Sequence, residues 1–353
     1  MRSTVDTDFL TRALSRLKTI HLDMQKAITE HAHTHDITAL SRVARVSESD
    51  TIYAIDESCE DILLSHCERW GRQECFTLIA EGLGKNGMLN FPASTSPADA
   101  EFYLIFDPID GTRGIMYDKR SAWILSGIAP NRGQETRLSD IELAIQTEVP
   151  LSKQYLADML FAIRGRGAKG ERMNLISGEV SEFYPRPSSA VTLKHGFAML
   201  TKFFPGRKQI TAAIEEELLR RLGLLDDADA TYVFDDQYIS TGGQFYELAM
   251  GHDRFSGDFR AHLMRAADLA GNPPVMAAHP YDLCTEMIAR EAGVIVTDIH
   301  GRPLDQPLDV TTDVSWIGYA NAILHRQIEP ILQKILQEYH IIDSAPVVKR
   351  EEL

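Results

Sequence analysis

Asp107 and Asp110 stand three positions apart in the run Asp107-Pro108-Ile109-Asp110-Gly111-Thr112. Just before them, Phe102-Tyr103-Leu104-Ile105-Phe106 is an unbroken apolar run, the pattern of a buried strand that ends where the acids begin. Carboxylates and peptide carbonyls are the hard oxygen ligands that Mg²⁺ prefers. Pro108 fixes φ between the acids and removes a donor. Gly111 permits close backbone approach, and Thr112 supplies a hydroxyl. Amides around Gly111 and Thr112 can form a nest for a phosphate group. Asp-Pro and Asp-Gly are also common turn dipeptides, so the run taken by itself reads equally well as a turn at a strand end.

The elements that must position these residues show in the apolar spacing. Phe9, Leu10, Leu14, Leu17, Ile20, Met24 and Ile28 recur at helical intervals, which predicts an amphipathic helix over 7–32. Ile55, Cys59, Ile62, Leu63, Cys67 and Trp70 predict a second. Phe76–Ala80 reads as a short buried strand ending at Glu81, and 82–100 as a Gly-, Pro- and Ser-rich surface loop. Strands are expected at 122–128, 141–149 and 155–163, followed by a turn at Gly165, Gly167 and Gly170. Pro185 and Pro187 within 176–195 suit a domain boundary. Helices are expected at 208–222, 242–251, 281–292 and 323–339, with a strand at 293–297. Helix and strand alternate in both halves, so the class is mixed α and β.

The chain has 353 residues, 44% hydrophobic and 25% charged, enough apolar material for a sizeable core. Its formal net charge of −15 argues against a nucleic-acid polymer or an anionic membrane as partner, since both need a basic face. A phosphorylated small molecule is not excluded, because bound divalent cations invert the local field. Cys59, Cys67, Cys75 and Cys284 form no CxxC pair and read as reduced core residues. The N-terminal residues lack the apolar run of a signal peptide, and no stretch reaches the roughly 18 apolar residues of a membrane span. A cytoplasmic location is expected.

Several ordered segments, taken together, resemble the inositol monophosphatase superfamily, which includes fructose-1,6-bisphosphatases and bisphosphate nucleotidases. Asp107–Thr112 resembles its signature. Ser49–Asp56 resembles the segment ending in a characteristic Asp, and Leu78-Ile79-Ala80-Glu81 the strand ending in the metal-binding Glu. His279-Pro280-Tyr281-Asp282-Leu283 falls at the Trp-Asp position, followed by Glu291–Asp298 and Gly301–Asp305. The resemblance implies a layered αβαβα fold, with an α+β lobe over 1–186, an α/β lobe over 187–353 and the site between them. It implies Mg²⁺-dependent hydrolysis of a small phosphate monoester by a metal-activated water, with two or three ions and Mn²⁺ able to substitute. Glu81, Asp107 and the Ile109 carbonyl would hold one ion; Asp107, Asp110 and Asp282 would hold a second. Asp56 would orient the Thr112 hydroxyl toward the attacking water, and Asp110, Gly111, Thr112 and Asp282 would touch the substrate. A homodimer is the family expectation. The chemistry is coherent, since four packed acids repel one another unless cations lie between them.

The sequence departs from that pattern in places. Gly82 stands where a second Glu is usual, and Tyr281 where Trp is usual. The acid expected several positions before Asp282 is missing from Pro273-Pro274-Val275-Met276-Ala277, which speaks against inositol phosphate. Extra length falls mainly in 187–235 and 254–277. Arg113-Gly114 resembles the bisphosphate nucleotidase branch, and Arg113 can bind a second anionic group bidentately. Ser240-Thr241-Gly242-Gly243 resembles a substrate-side helix start able to receive an anion or hydroxyl. For a nucleotide substrate, Tyr238, Phe245 and Tyr246 are candidate stacking rings. The alternative is an inactive relative that binds a phosphorylated metabolite as a sensor or scaffold, and Gly82 and the altered segment after Asp282 motivate it.

Overall fold

Residues 6–34, 43–46, 51–84, 86–225, 232–265 and 276–343 are described by a computed structural model, with the side chains at 32–34, 43–46, 51–58 and 264–265 outside the description. The chain opens with helix α1 (Thr7–Thr34), a two-stranded antiparallel ribbon of β1 (Val43–Val46) and β2 (Thr51–Tyr53), and helix α2 (Ala54–Trp70). Strands β3 (Phe76–Ile79), β4 (Met88–Phe91) and β5 (Phe102–Asp110) follow, then the short helix α3 (Thr112–Met116). Strands β6 (Ala122–Pro130), β7 (Leu143–Val149), β8 (Leu156–Ile163), β9 (Ala168–Asn174) and β10 (Val180–Phe183) complete an eight-stranded sheet of order β10-β9-β8-β7-β6-β5-β3-β4. The second half supplies β11 (Gly196–Leu200), α4 (Lys208–Arg221), β12 (Val233–Phe234), α5 (Thr241–Ala249), β13 (Asp253–Asp258) and α6 (Arg260–Arg265). It ends with α7 (Glu286–Ala292), β14 (Ile295–Thr297), β15 (Trp316–Tyr319) and α8 (Ala322–Glu338). Its five-stranded sheet has the order β12-β11-β13-β15-β14.

Strand alternation sorts the core into layers. Phe102, Leu104 and Phe106 face one way and pack with Leu17, Met24, Cys59 and Leu63 of α1 and α2. Tyr103 and Ile105 face the other way and pack with Phe245 and Leu248 of α5, Met287 and Ile288 of α7, and Trp316 and Val296 of the second sheet. The far side of that sheet, with Leu200, Phe255 and Ile317, packs on Ile214 of α4 and on Leu324 and Leu332 of α8. The result is five layers in α/β/α/β/α order. No described helix is long and apolar enough to cross a membrane.

Several expectations need correction. Strand β4 lies inside the segment read as a loop, and β9 and β10 lie where a turn and a boundary were expected. These strands sit at or next to the ends of the sheet and carry many half-buried or exposed residues, so they lack the apolar run that marks a central strand. The helix expected from 281 begins at Glu286, because Pro280 and the local bonds of Asp282 hold the preceding residues in turns. Cys75 is half-buried rather than core, whereas Cys59, Cys67 and Cys284 are buried; all four are free thiols.

Helix α1 is tied to the sheet by a polar contact as well as by packing. His21 is fully buried, with Nδ1 3.0 Å from Thr147 Oγ1 and Nε2 2.8 Å from Ser126 Oγ. Burial pushes its pKa down to about 3, so the folded protein keeps the ring neutral. The unfolded chain takes up this proton below about pH 6.5 and the native state does not, so stability is lost as pH falls through that window, by about 1.4 kcal/mol per unit. Thermal melts from ~pH 7 to ~pH 4.5 should therefore show a steeper loss of Tm in wild type than in His21→Gln, and parallel slopes would refute this role.

Candidate active site

Strand β5 carries both acids of the signature out of the sheet. Residues three apart on a regular strand point to opposite faces. Here Asp107 pairs with Leu125 and Asp110 with Trp123 on β6, with a register shift between them. Three steps on β5 thus oppose two on β6, a bulge of one residue at Pro108-Ile109. Pro108 has no N–H to lose from the ladder. The bulge turns Asp110 to the side of Asp107, facing the middle helical layer.

There Asp110 meets the start of α5. Its Oδ2 accepts from Gly242 N at 2.6 Å and from Ser240 Oγ at 2.9 Å, while Ser240 Oγ accepts from Gly243 N as the helix cap. A Cβ on Gly242 would lie 2.6 Å from Leu125 Cδ2 and 3.1 Å from Asp110 Oδ2, so this close approach needs glycine. Asp282 comes from the turns before α7, and its Oδ2 accepts from His279 N at 2.6 Å. Asp107 Oδ1 accepts from Ile109 N at 3.0 Å. Asp107, Asp110 and Asp282 each bring a carboxylate oxygen within 4.8 Å of the others.

Among the described residues, no Lys or Arg lies within ion-pair distance of these three acids. Burial, and then repulsion from Asp110 and Asp282, pushes Asp107 well above the usual carboxylate range. Asp282 is raised for the same reasons, with Glu81 adding to the repulsion. Asp110 is raised by burial to about 6, with the α5 amides and Ser240 holding it down. Two buried carboxylates and a half-buried third, mutually repelling and with oxygen-only donors, are the site a divalent cation fits.

Glu81 lines the same cavity, of about 130 Å³, but stands outside the close triad. Strands β3 and β5 are parallel with Ile79 opposite Ile105, a register that brings Glu81 level with Asp107 just beyond the paired residues. Glu81 Oε2 accepts from the Tyr281 hydroxyl at 3.0 Å. The following Gly82 has φ +75°, a left-handed turn that a second Glu would adopt only with strain. Next to Tyr281, His279 is held neutral by burial, its Nε2 3.6 Å from Asp313.

Gly111, Thr112, Arg113, Ser240 and Thr241 also line the cavity. Thr112 Oγ1 donates to the Ile109 carbonyl at 2.8 Å. The Arg113 guanidinium sits 5.2 Å from the Phe204 ring, with Nη2 3.9 Å from Met276 Sδ. The helix start at Ser240–Gly242, read as a receiver of substrate, is engaged by Asp110 instead. The Asp56 side chain lies outside the described residues.

The rings proposed for stacking are not in the cavity. Tyr238 donates to Ser121 O, Phe245 packs on Trp316, and the Tyr246 hydroxyl donates to Asp158. The cavity is also lined by Phe203, Phe204, Arg260 and Met276, which come from the two segments of extra length. Buried Arg260 binds Asp258 through Nε and Nη2 and donates Nη1 to the Met276 carbonyl at 2.6 Å. The adjacent Phe203-Phe204 pair, too polar in context to mark an element, was the one sequence signal for this wall.

No protein-family model matches the chain, and no curated protein matches it in sequence. Solved structures do. The extragenic suppressor protein suhB of Bartonella henselae superposes with a TM-score of 0.61 at 14% identity, covering 92% of this chain and 99% of its own. Fructose-1,6-bisphosphatase of Leishmania major gives 0.62 at 14% identity over 95% and 96%. An IMPase of Thermotoga maritima gives 0.58 at 15% identity over 93% and 99%. This chain shares the fold of these solved structures, an IMPase and a fructose-1,6-bisphosphatase among them.

Proposed function

We propose that the chain is a Mg²⁺-dependent phosphatase acting on a small phosphate monoester. The observation that carries this reading is the close triad of Asp107, Asp110 and Asp282 beside Gly111 and Thr112 in one cavity. Mg²⁺, when bound, neutralises developing charge and makes water a better nucleophile. Glu81, Asp107 and the Ile109 carbonyl are the proposed holders of one ion; Asp107, Asp110 and Asp282 of a second. The Thr112 proton is given to Ile109, so its oxygen accepts a hydrogen from the attacking water and orients it. Asp56 is the proposed acceptor of that proton once an ion engages the Ile109 carbonyl, which would leave the Thr112 oxygen to the water. The amides of Gly111 and Thr112 grip the phosphate, and Arg113 receives a second anionic group, which favours sugar bisphosphates or nucleotide bisphosphates over polyol monophosphates.

Phosphate release from a panel of sugar, polyol and nucleotide esters should require Mg²⁺ and stop in EDTA. Full turnover in excess chelator would refute metal dependence, and tight binding without turnover would favour a sensor. A melt separates ligation from catalysis. Without metal, the raised acids keep protons that the unfolded chain releases, so the cluster favours folding at low pH and this contribution is lost as pH rises through about 6. Mg²⁺ should accordingly raise Tm more at ~pH 7.5 than at ~pH 5.

Asp110→Asn keeps an oxygen for Gly242 and Ser240 while removing a negative ligand. It should fold normally and lower kcat by about 10²-fold or more; a near-normal rate at limiting Mg²⁺ would sink the ligand assignment. Arg113→Ala should cut the kcat/KM ratio of a bisphosphate to its matched monophosphate by about tenfold or more. An unchanged ratio would remove the second anion and leave the phosphatase.

A further inference from the structure

We propose that the Tyr281 hydroxyl is the positioning group for Glu81, fixing that carboxylate for its ion through the hydrogen bond Tyr281 Oη–H to Glu81 Oε2, with His279 stacked on the phenol. The proposal rests on Glu81 being a metal ligand, as argued above. Resembling enzymes have Trp at this place, so the hydroxyl is a feature of this chain.

The direction follows from counting protons. Tyr281 has a single hydroxyl hydrogen, and an ionised carboxylate can only accept. The hydrogen therefore lies toward Glu81 Oε2, 3.0 Å away. The lone pairs of the phenolic oxygen then lie toward His279, whose Nδ1 is 3.3 Å away. The two rings are stacked, 5.4 Å apart and 9° from parallel, so neither turns away cheaply. Tyr281 is 7% exposed and belongs to the central core, which anchors the donor. Glu81 needs such an anchor. It stands past the end of β3, its neighbour Gly82 has no side chain to brace it, and a glutamate has three rotatable bonds to fix. The same turn supplies the His279 backbone amide to Asp282 Oδ2 at 2.6 Å, so two residues of one turn hold a carboxylate of each proposed ion.

The test is calorimetric titration of Mg²⁺ alone, without substrate, into the full chain as wild type and Tyr281→Phe. Phenylalanine keeps the stacked ring and the packing and removes the oxygen. One Mg²⁺ binding event should weaken about tenfold or more, in the range for lost partners of ligands, with the other event and the metal-free Tm unchanged. His279→Gln should weaken the same event by a smaller factor. Unaltered Mg²⁺ affinity in Tyr281→Phe, with wild type binding normally, overturns the positioning role and leaves the phosphatase reading standing. Equal weakening of both events with a lowered metal-free Tm overturns it in favour of packing. A wild type that takes up no Mg²⁺ overturns both readings.

Discussion

Three carboxylates, two buried and one half-buried, held within 4.8 Å of one another are the constraint on which the site depends. Left to themselves they would separate or take up protons. The fold prevents separation by fixing each at its base. Asp107 and Asp110 leave the central strand of a large sheet on either side of a bulge. Asp282 is pinned by a backbone amide within its own turn. The molecule thus stores electrostatic repulsion where a cation would relieve it.

The middle helical layer is what makes that storage possible. Helix α5 packs between the two sheets through Phe245 and Leu248, and its first amides point at Asp110. The positive end of a helix compensates part of the charge that burial penalises. Since α5 is wedged against both sheets, the acid on one sheet is referenced to the packing of the other. Ser240 links the two jobs by capping the helix and bonding the same carboxylate oxygen.

The wall facing the acids is built differently. Phe203 and Phe204 follow β11, Arg260 follows β13, and Met276 precedes the turns that carry Asp282. Arg260 lies 4.7 Å from the Phe203 ring and is paired with Asp258, so it stiffens the wall, and its charge offsets part of the rise in the Asp110 and Asp282 pKa values.

How far the chain could be read in one dimension depended on the kind of signal. The apolar spacing of α1 and α2, the unbroken run of β5, the acids at its end and the alternation of helix and strand are local patterns, and they determined the elements, the mixed class and the cluster of acids. The strands near the sheet ends escaped because half-exposed residues carry no apolar run. Which rings line the cavity escaped because Tyr238 and Phe245 are indistinguishable from pocket aromatics until packing buries them. The same holds for the bulge that turns Asp110 beside Asp107, the helix start that Asp110 occupies, and the hydroxyl that Tyr281 brings to Glu81 across 200 residues. The sequence by itself determined which chemical groups this protein possesses; only the tertiary structure decided which of them meet, because contacts between distant segments follow from sheet register and layer packing, and neither is written in any local spacing.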